Sequence, residues 1–293
     1  MTTFDLAILG AYTKDTIVRP SGVTEVDGGG FNYAALAAKL TGLEILAITR
    51  LHPDDRGIAG PLREAGVEVV TLESSCSTHM RLEYPTANPD ERILSVTSVV
   101  DPFAPSDLDD IEARAVLVTA SIRGEAPVAL LETVKAWGAL LAIDVQGFVR
   151  IVGPDGGLVY DAAGWDERAA VLSLVDILKT DAVEAEALTG ERDIHRAARA
   201  LASEGPAEIV LTHRDGLLVH AGGRDYEAPF RPDEMRGRSG RGDTCIGSYV
   251  SKRLLAPPAE ATRWAGAVTT LKLEREGPIR RSAAEVEAYL DRN

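Results

Sequence analysis

The stretch Gly240-Arg241-Gly242-Asp243-Thr244, running on into the small apolar Cys245-Ile246-Gly247-Ser248, decides how this chain is read. A Gly-x-Gly-Asp turn at a helix start gathers two things that phosphoryl transfer needs. Free backbone N–H groups at a helix N-terminus make a partial positive charge that holds a phosphate. A carboxylate fixed beside them can take the proton of an attacking hydroxyl. Glycines at 240 and 242 let the backbone come close to an anion. The same residues also read as an ordinary helix start capped by Asp243, and on this stretch alone both readings stay open.

Outward from that turn, the rest of the chain alternates strand and helix patterns. Apolar strand-like runs fall at Phe4–Leu9, Glu44–Ile48, Val67–Leu72, Ala115–Thr119, Leu140–Asp144, Ile177–Lys179 and Glu208–Thr212. Helical patterns lie between them, at Gly57–Ala65, Val128–Gly138, Val183–Leu188 and Ile194–Ser203. This rhythm predicts an α/β fold, a parallel sheet between helices, with ligands outside the carboxyl ends of the strands. Residues 11–27 and 76–99 break the rhythm with short alternating strands around a turn at Pro85–Asp90, and read as a small inserted antiparallel sheet. From Arg241 to Leu290 the chain is mostly helical, interrupted at Pro257-Pro258.

Composition narrows the function classes. A net charge of −14 over 293 residues argues against nucleic-acid and anionic-membrane partners. No apolar run approaches the roughly 18 residues of a membrane span. Two cysteines, Cys76 and Cys245, and five scattered histidines form neither a disulfide framework nor a metal motif. The chain reads as soluble and cytoplasmic. No Gly-x-Gly-x-x-Gly follows the first strand and no Walker motif occurs, which sets aside dinucleotide-binding and P-loop readings. His213-Arg214-Asp215 lacks the companions of a protein-kinase catalytic loop.

At the N-terminal end Gly10 closes the first strand, Asp15 follows, and Asp27-Gly28-Gly29-Gly30-Phe31-Asn32-Tyr33-Ala34 leads into the helical Ala35–Leu40. Paired with the distant Gly-x-Gly-Asp, this resembles the PfkB (ribokinase-like) family of carbohydrate and nucleoside kinases, over essentially the whole chain. The resemblance implies one domain, 1–293, built as a three-layer sandwich with a mostly parallel central sheet. Its β lid would come from residues 11–27 and 76–99 and close over the sugar site to exclude water. It implies ATP- and Mg²⁺-dependent transfer of the γ-phosphate to a hydroxyl of a sugar, polyol or nucleoside, with a monovalent cation as a further candidate. A nucleoside kinase of the same fold and a catalytically silent sugar or nucleotide sensor are the alternatives.

The family's roles carry over residue by residue. Asp243 is the implied general base, with Gly240, Arg241 and Gly242 forming the anion hole. Asp15, Asn32, the backbone of Gly28 and Gly29, and Glu125 are the implied acceptor contacts. Lys179-Thr180-Asp181-Ala182-Val183-Glu184 resembles the Asn-x-x-Glu segment that organises Mg²⁺ and phosphate. Glu184 matches as the metal-side residue, while Asp181 stands where Asn is usual. Thr212 and Gly216 match a nucleotide loop that is here one residue short and lacks its middle glycine. Arg238, with Arg231, Arg236 and Arg241, implies an ATP-facing loop. Asp144-Val145-Gln146-Gly147-Phe148-Val149-Arg150, like the Arg in Gly-Arg-Gly-Asp, resembles the myo-inositol-kinase-like branch. An open edge on the lid sheet implies pairing of two copies into a homodimer.

Overall fold

The computed structural model describes residues 3–86 and 93–292. In chain order its strands are β1 (Thr3–Leu9), β2 (Thr13–Arg19), β3 (Gly22–Gly28), β4 (Ile45–Leu51), β5 (Glu68–Glu73), β6 (Thr78–Glu83), β7 (Ile93–Ser98), β8 (Glu112–Val118), β9 (Leu140–Asp144), β10 (Arg150–Val152), β11 (Leu158–Tyr160), β12 (Ile177–Asp181), β13 (Glu208–His213), β14 (Gly216–Ala221) and β15 (Arg224–Pro229). The helices are α1 (Gly30–Lys39), α2 (Ala59–Glu64), α3 (Val128–Ala136), α4 (Gln146–Val149), α5 (Arg168–Leu174), α6 (Ala182–Thr189), α7 (Ile194–Ala202), α8 (Arg241–Arg253), α9 (Pro258–Leu273) and α10 (Ala283–Leu290).

The large sheet has nine strands in the order β15-β14-β13-β12-β9-β8-β1-β4-β5. Neighbours from β5 through β13 run parallel, and β14 and β15 add an antiparallel edge. Period-two alternation sorts each strand between two cores. In β1, Leu6 and Ile8 join a core with Phe31 of α1 and Cys245, Ile246 and Tyr249 of α8. Ala7 and Leu9 face the other way, into a core with Leu130 and Leu131 of α3, Val171 and Leu172 of α5 and Leu201 of α7. Burial on both faces is why these strands are nearly continuous apolar runs. Among the described residues no helix is long and apolar enough to cross a membrane.

The second sheet has four strands, in the order β3-β2-β6-β7. The expected antiparallel pairing holds within each hairpin, and the two hairpins join through a parallel β2–β6 pair. One face buries Met80, Leu82 and Val96 against Ile122, which follows β8. The turn expected at Pro85–Asp90 falls partly on residues 87–90, outside the described residues.

Candidate active site

After β1 the chain builds β4 and β5 on one side and returns to build β8, β9, β12 and β13 on the other. The carboxyl ends of β1 and β8 therefore mark the topological switch point, where open α/β sheets bind ligands. The N-termini of α1 and α8 meet there. A Cβ on Gly30, first residue of α1, would lie 2.7 Å from Asp243 Oδ1 and 2.6 Å from Thr119 Cβ. Only glycine lets the two helix starts come this close. Neither helix start has a side-chain cap; in α8 the Arg241 N–H donates to Arg238 O at 3.3 Å, which leaves the first-turn N–H groups after it to face an anion. Asp243 thus sits in the first turn of α8 without serving as its N-cap, a position held by Gly240.

Burial pushes the Asp243 carboxyl up to about 6, and nearby Asp144 adds to the effect, against Lys179 and Arg150. Those neighbours form one buried network across the strand ends. Lys179 and Asp144 are register partners on β12 and β9. Lys179 Nζ lies 2.9 Å from Asp144 Oδ2 and 3.9 Å from Glu184 Oε2, and Arg150 lies 3.6 Å from Glu184 Oε1. Burial alone would lower the Lys179 ammonium, but the Asp144 and Glu184 carboxylates drive it well above its ordinary value. Its Nζ would be 2.8 Å from a Cβ on Gly242, so a fixed positive charge lies under the first turn of α8.

The expected acceptor residues occupy the opposite wall. Asp15, on β2, has a buried Oδ1 with no hydrogen-bond partner. Burial pushes its carboxyl up to about 6, with Thr13 opposing and Asp243 reinforcing, so the two aspartates share one field. Gly28 closes β3 where a Cβ would lie 3.1 Å from Asp15 Oδ2, Gly29 is the α1 N-cap, and Asn32 is buried in the first turn of α1. Glu125 is in the loop after β8. Its Oε2 accepts the Ser121 N–H at 2.7 Å, while Oε1 is buried and unpartnered. Burial pushes that carboxyl up to about 7.

On the donor side, burial lowers the half-buried Arg241 guanidinium, with Asp181 raising it and Arg238 lowering it further, which places these three together at the α8 start. Arg236 instead pairs with Glu234 on the surface. Thr212 and Gly216 belong to a tight hairpin: only Arg214 and Asp215 link β13 to β14, and Thr212 Oγ1 donates to Thr180 O at 3.5 Å. Asp181 and Glu184 cap α6 reciprocally, each side chain accepting the other's backbone N–H at 2.8 Å. Glu184 fits poorly as a direct Mg²⁺ ligand. One of its oxygens is used in that cap and the other faces Arg150. Among the described residues no group of three or more His, Cys, Asp or Glu side chains is arranged to hold a metal ion.

Sequence reasoning gave no site role to Thr119 or Lys272 and placed Asp144 only within the segment Asp144–Arg150. Lys272 is only 1% exposed near the end of α9, and its Nζ donates to Gly237 O at 2.8 Å and to Ser239 O. In the sequence it looks like any helical lysine.

The chain matches the pfkB family of carbohydrate kinases over residues 3–284. A pyrophosphate-dependent kinase of the ribokinase family, solved as a sulfate complex, is 35% identical. The match covers 96% of this chain and 99% of that one, with a TM-score of 0.88. A pyrophosphate-dependent kinase of the same family, complexed with a pyrophosphate analog and myo-inositol, is 34% identical over 97% of this chain and 99% of its own, with a TM-score of 0.87. A cytidine kinase of Thermococcus kodakarensis is 24% identical over 87% of this chain and 91% of its own.

Proposed function

Since this chain belongs to the pfkB family of carbohydrate kinases, we propose that it transfers a phosphoryl group from pyrophosphate to a hydroxyl of a cyclic polyol of the myo-inositol type. The observation that carries this reading is the closure of the Asp243 carboxylate onto the start of α1 at Gly30, between Asp15, whose Oδ1 is unpartnered, and the Lys179–Asp144 pair. A hydroxyl held by Asp15 and Asn32 gives its proton to Asp243. Its oxygen forms a bond to the terminal phosphorus as the bond to the leaving phosphate oxygen breaks. The products are a phosphate monoester and orthophosphate. The first-turn N–H groups of α8, with Lys179 beneath them and Arg241 beside them, carry the developing charge. Mg²⁺ would be held mainly by the donor's own oxygens, since Glu184 is engaged with Asp181 and Arg150, and would neutralise donor charge.

Pyrophosphate is favoured over the ATP expected from sequence for two reasons. Arg238, Arg241 and Lys179 concentrate charge at the α8 start. The 212–216 segment is a minimal hairpin rather than a loop that could embrace a nucleoside. The two pyrophosphate-dependent relatives described above support the same choice. In this reading residues 1–293 form one kinase domain and the four-stranded sheet is its lid. The exposed edge strand β3 is where a second copy would pair.

A coupled assay crossing pyrophosphate and ATP with myo-inositol, ribose, cytidine and adenosine tests the proposal. Turnover with pyrophosphate and a polyol is expected. Turnover with ATP alone would overturn the donor, and turnover with a nucleoside alone the acceptor. Pyrophosphate binding with no turnover on any pair would favour a silent sensor.

A further inference from the structure

We infer that Lys272 is a built-in cation that positions the anion-holding turn and stands in for the monovalent cation that the family resemblance offers as a candidate. The side chain comes from the last turn of α9 and reaches back to the segment just before α8. It is almost wholly buried, yet it forms no ion pair within 4 Å among the described contacts; its partners are the carbonyls of Gly237 and Ser239 and the ring of Tyr33, 5.5 Å away. Carbonyl oxygens plus an aromatic face are the surroundings of a desolvated alkali ion, and a primary ammonium of similar size satisfies them with directional hydrogen bonds.

The position matters because a peptide unit is planar, with its C=O and N–H pointing in opposite directions. Holding Ser239 O toward Lys272 sends the Gly240 N–H to the other side. Gly240 then opens α8 at φ 72°, with the Tyr33 ring packed where a Cβ would stand. Lys272 thus fixes the peptide planes that lead into Gly240-Arg241-Gly242-Asp243 from below, and Tyr33 ties the same turn to α1. A free cation would have to displace the ammonium to reach these oxygens. Burial lowers the Lys272 ammonium to about 8 even with Asp243 and Glu276 opposing, as expected for a charge held mainly by neutral carbonyls.

The inference rests on the kinase reading only for its turnover arm. Wild-type turnover and pyrophosphate affinity by calorimetry are measured in potassium, sodium and tetramethylammonium buffers of equal ionic strength. The three should agree, and a wild-type protein that needs potassium for either quantity would overturn the inference without any variant. Lys272→Ala should lose about 10²-fold in kcat through misplacement of the turn, with the acceptor KM little changed. It should also bind pyrophosphate more weakly. Ammonium or potassium, but not tetramethylammonium, should restore much of both quantities. An alanine variant that folds and keeps full affinity and turnover, or one whose loss no small cation repairs, would overturn it too. If no donor–acceptor pair turns over, the calorimetric arm still decides.

Discussion

Gly30 and Asp243 are separated by 213 positions in sequence, yet a single methyl group on the first would lie 2.7 Å from Oδ1 of the second. The starts of α1 and α8 are therefore in direct contact, and the candidate site lies where these two helix starts share one gap.

Gly30→Ala should be costly on both counts. The new Cβ must push Asp243 or Thr119 aside, which costs about 1–3 kcal/mol as overpacking. It should also lower kcat by about 10²-fold by moving the base. Gly60→Ala, in α2 with open space around it, is the control and should leave turnover unchanged. Thermal melts and steady-state kinetics on the two variants check the contrast.

Activity should be bell-shaped in pH. Asp243 must be ionised to accept a proton, so kcat/KM should fall as pH drops below about 6, where the folded carboxyl takes up its proton. Lys272 must be charged, with Asp243, Glu276, Arg241 and Tyr33 the charged and titratable groups around it, so activity should fall again above about pH 8. A rate profile with no acid limb would remove Asp243 as the base.

Much of the fold is legible in sequence because β4, β9, β12 and β13, and the carboxyl halves of β1 and β8, are buried on both faces and written as apolar runs. The β14–β15 hairpin, outside the strands expected from sequence, carries an equally local signal in Gly222-Gly223 between two strand patterns. The site is legible only where it is local, as in the glycine turns and Asp243. The Lys179–Asp144 pair comes from the register of β12 against β9, and Lys272 reaches its carbonyls through the packing of α9; neither leaves a sequence signal. Conversely, the Asp181-x-x-Glu184 spacing is accounted for by the reciprocal cap it makes on α6.

Arg241→Gln should raise the KM for pyrophosphate while leaving that for the acceptor nearly unchanged. A hydrogen bond to a charged group contributes about 1.5–3 kcal/mol, or roughly 10–10²-fold in affinity. Equal effects on both substrates would place Arg241 outside the donor site.

Asp15→Ala should do the reverse, since the proposed reading makes its unpartnered Oδ1 the acceptor contact. Acceptor kcat/KM should fall by roughly 10–10²-fold with pyrophosphate affinity intact. A variant that loses pyrophosphate instead would contradict the division of the site into two walls.

The most direct measurement is turnover by Asp243→Asn beside its pyrophosphate affinity and melting temperature. The amide keeps the size of the side chain but cannot accept the acceptor's proton. The rate should fall by about 10²–10⁴-fold. Pyrophosphate should still bind, and stability should move by no more than about 1 kcal/mol, within the range of helix-terminus substitutions. A folded Asn variant that binds pyrophosphate and still turns over within a few-fold of the parent would contradict Asp243 as the base, and with it the kinase mechanism built around it.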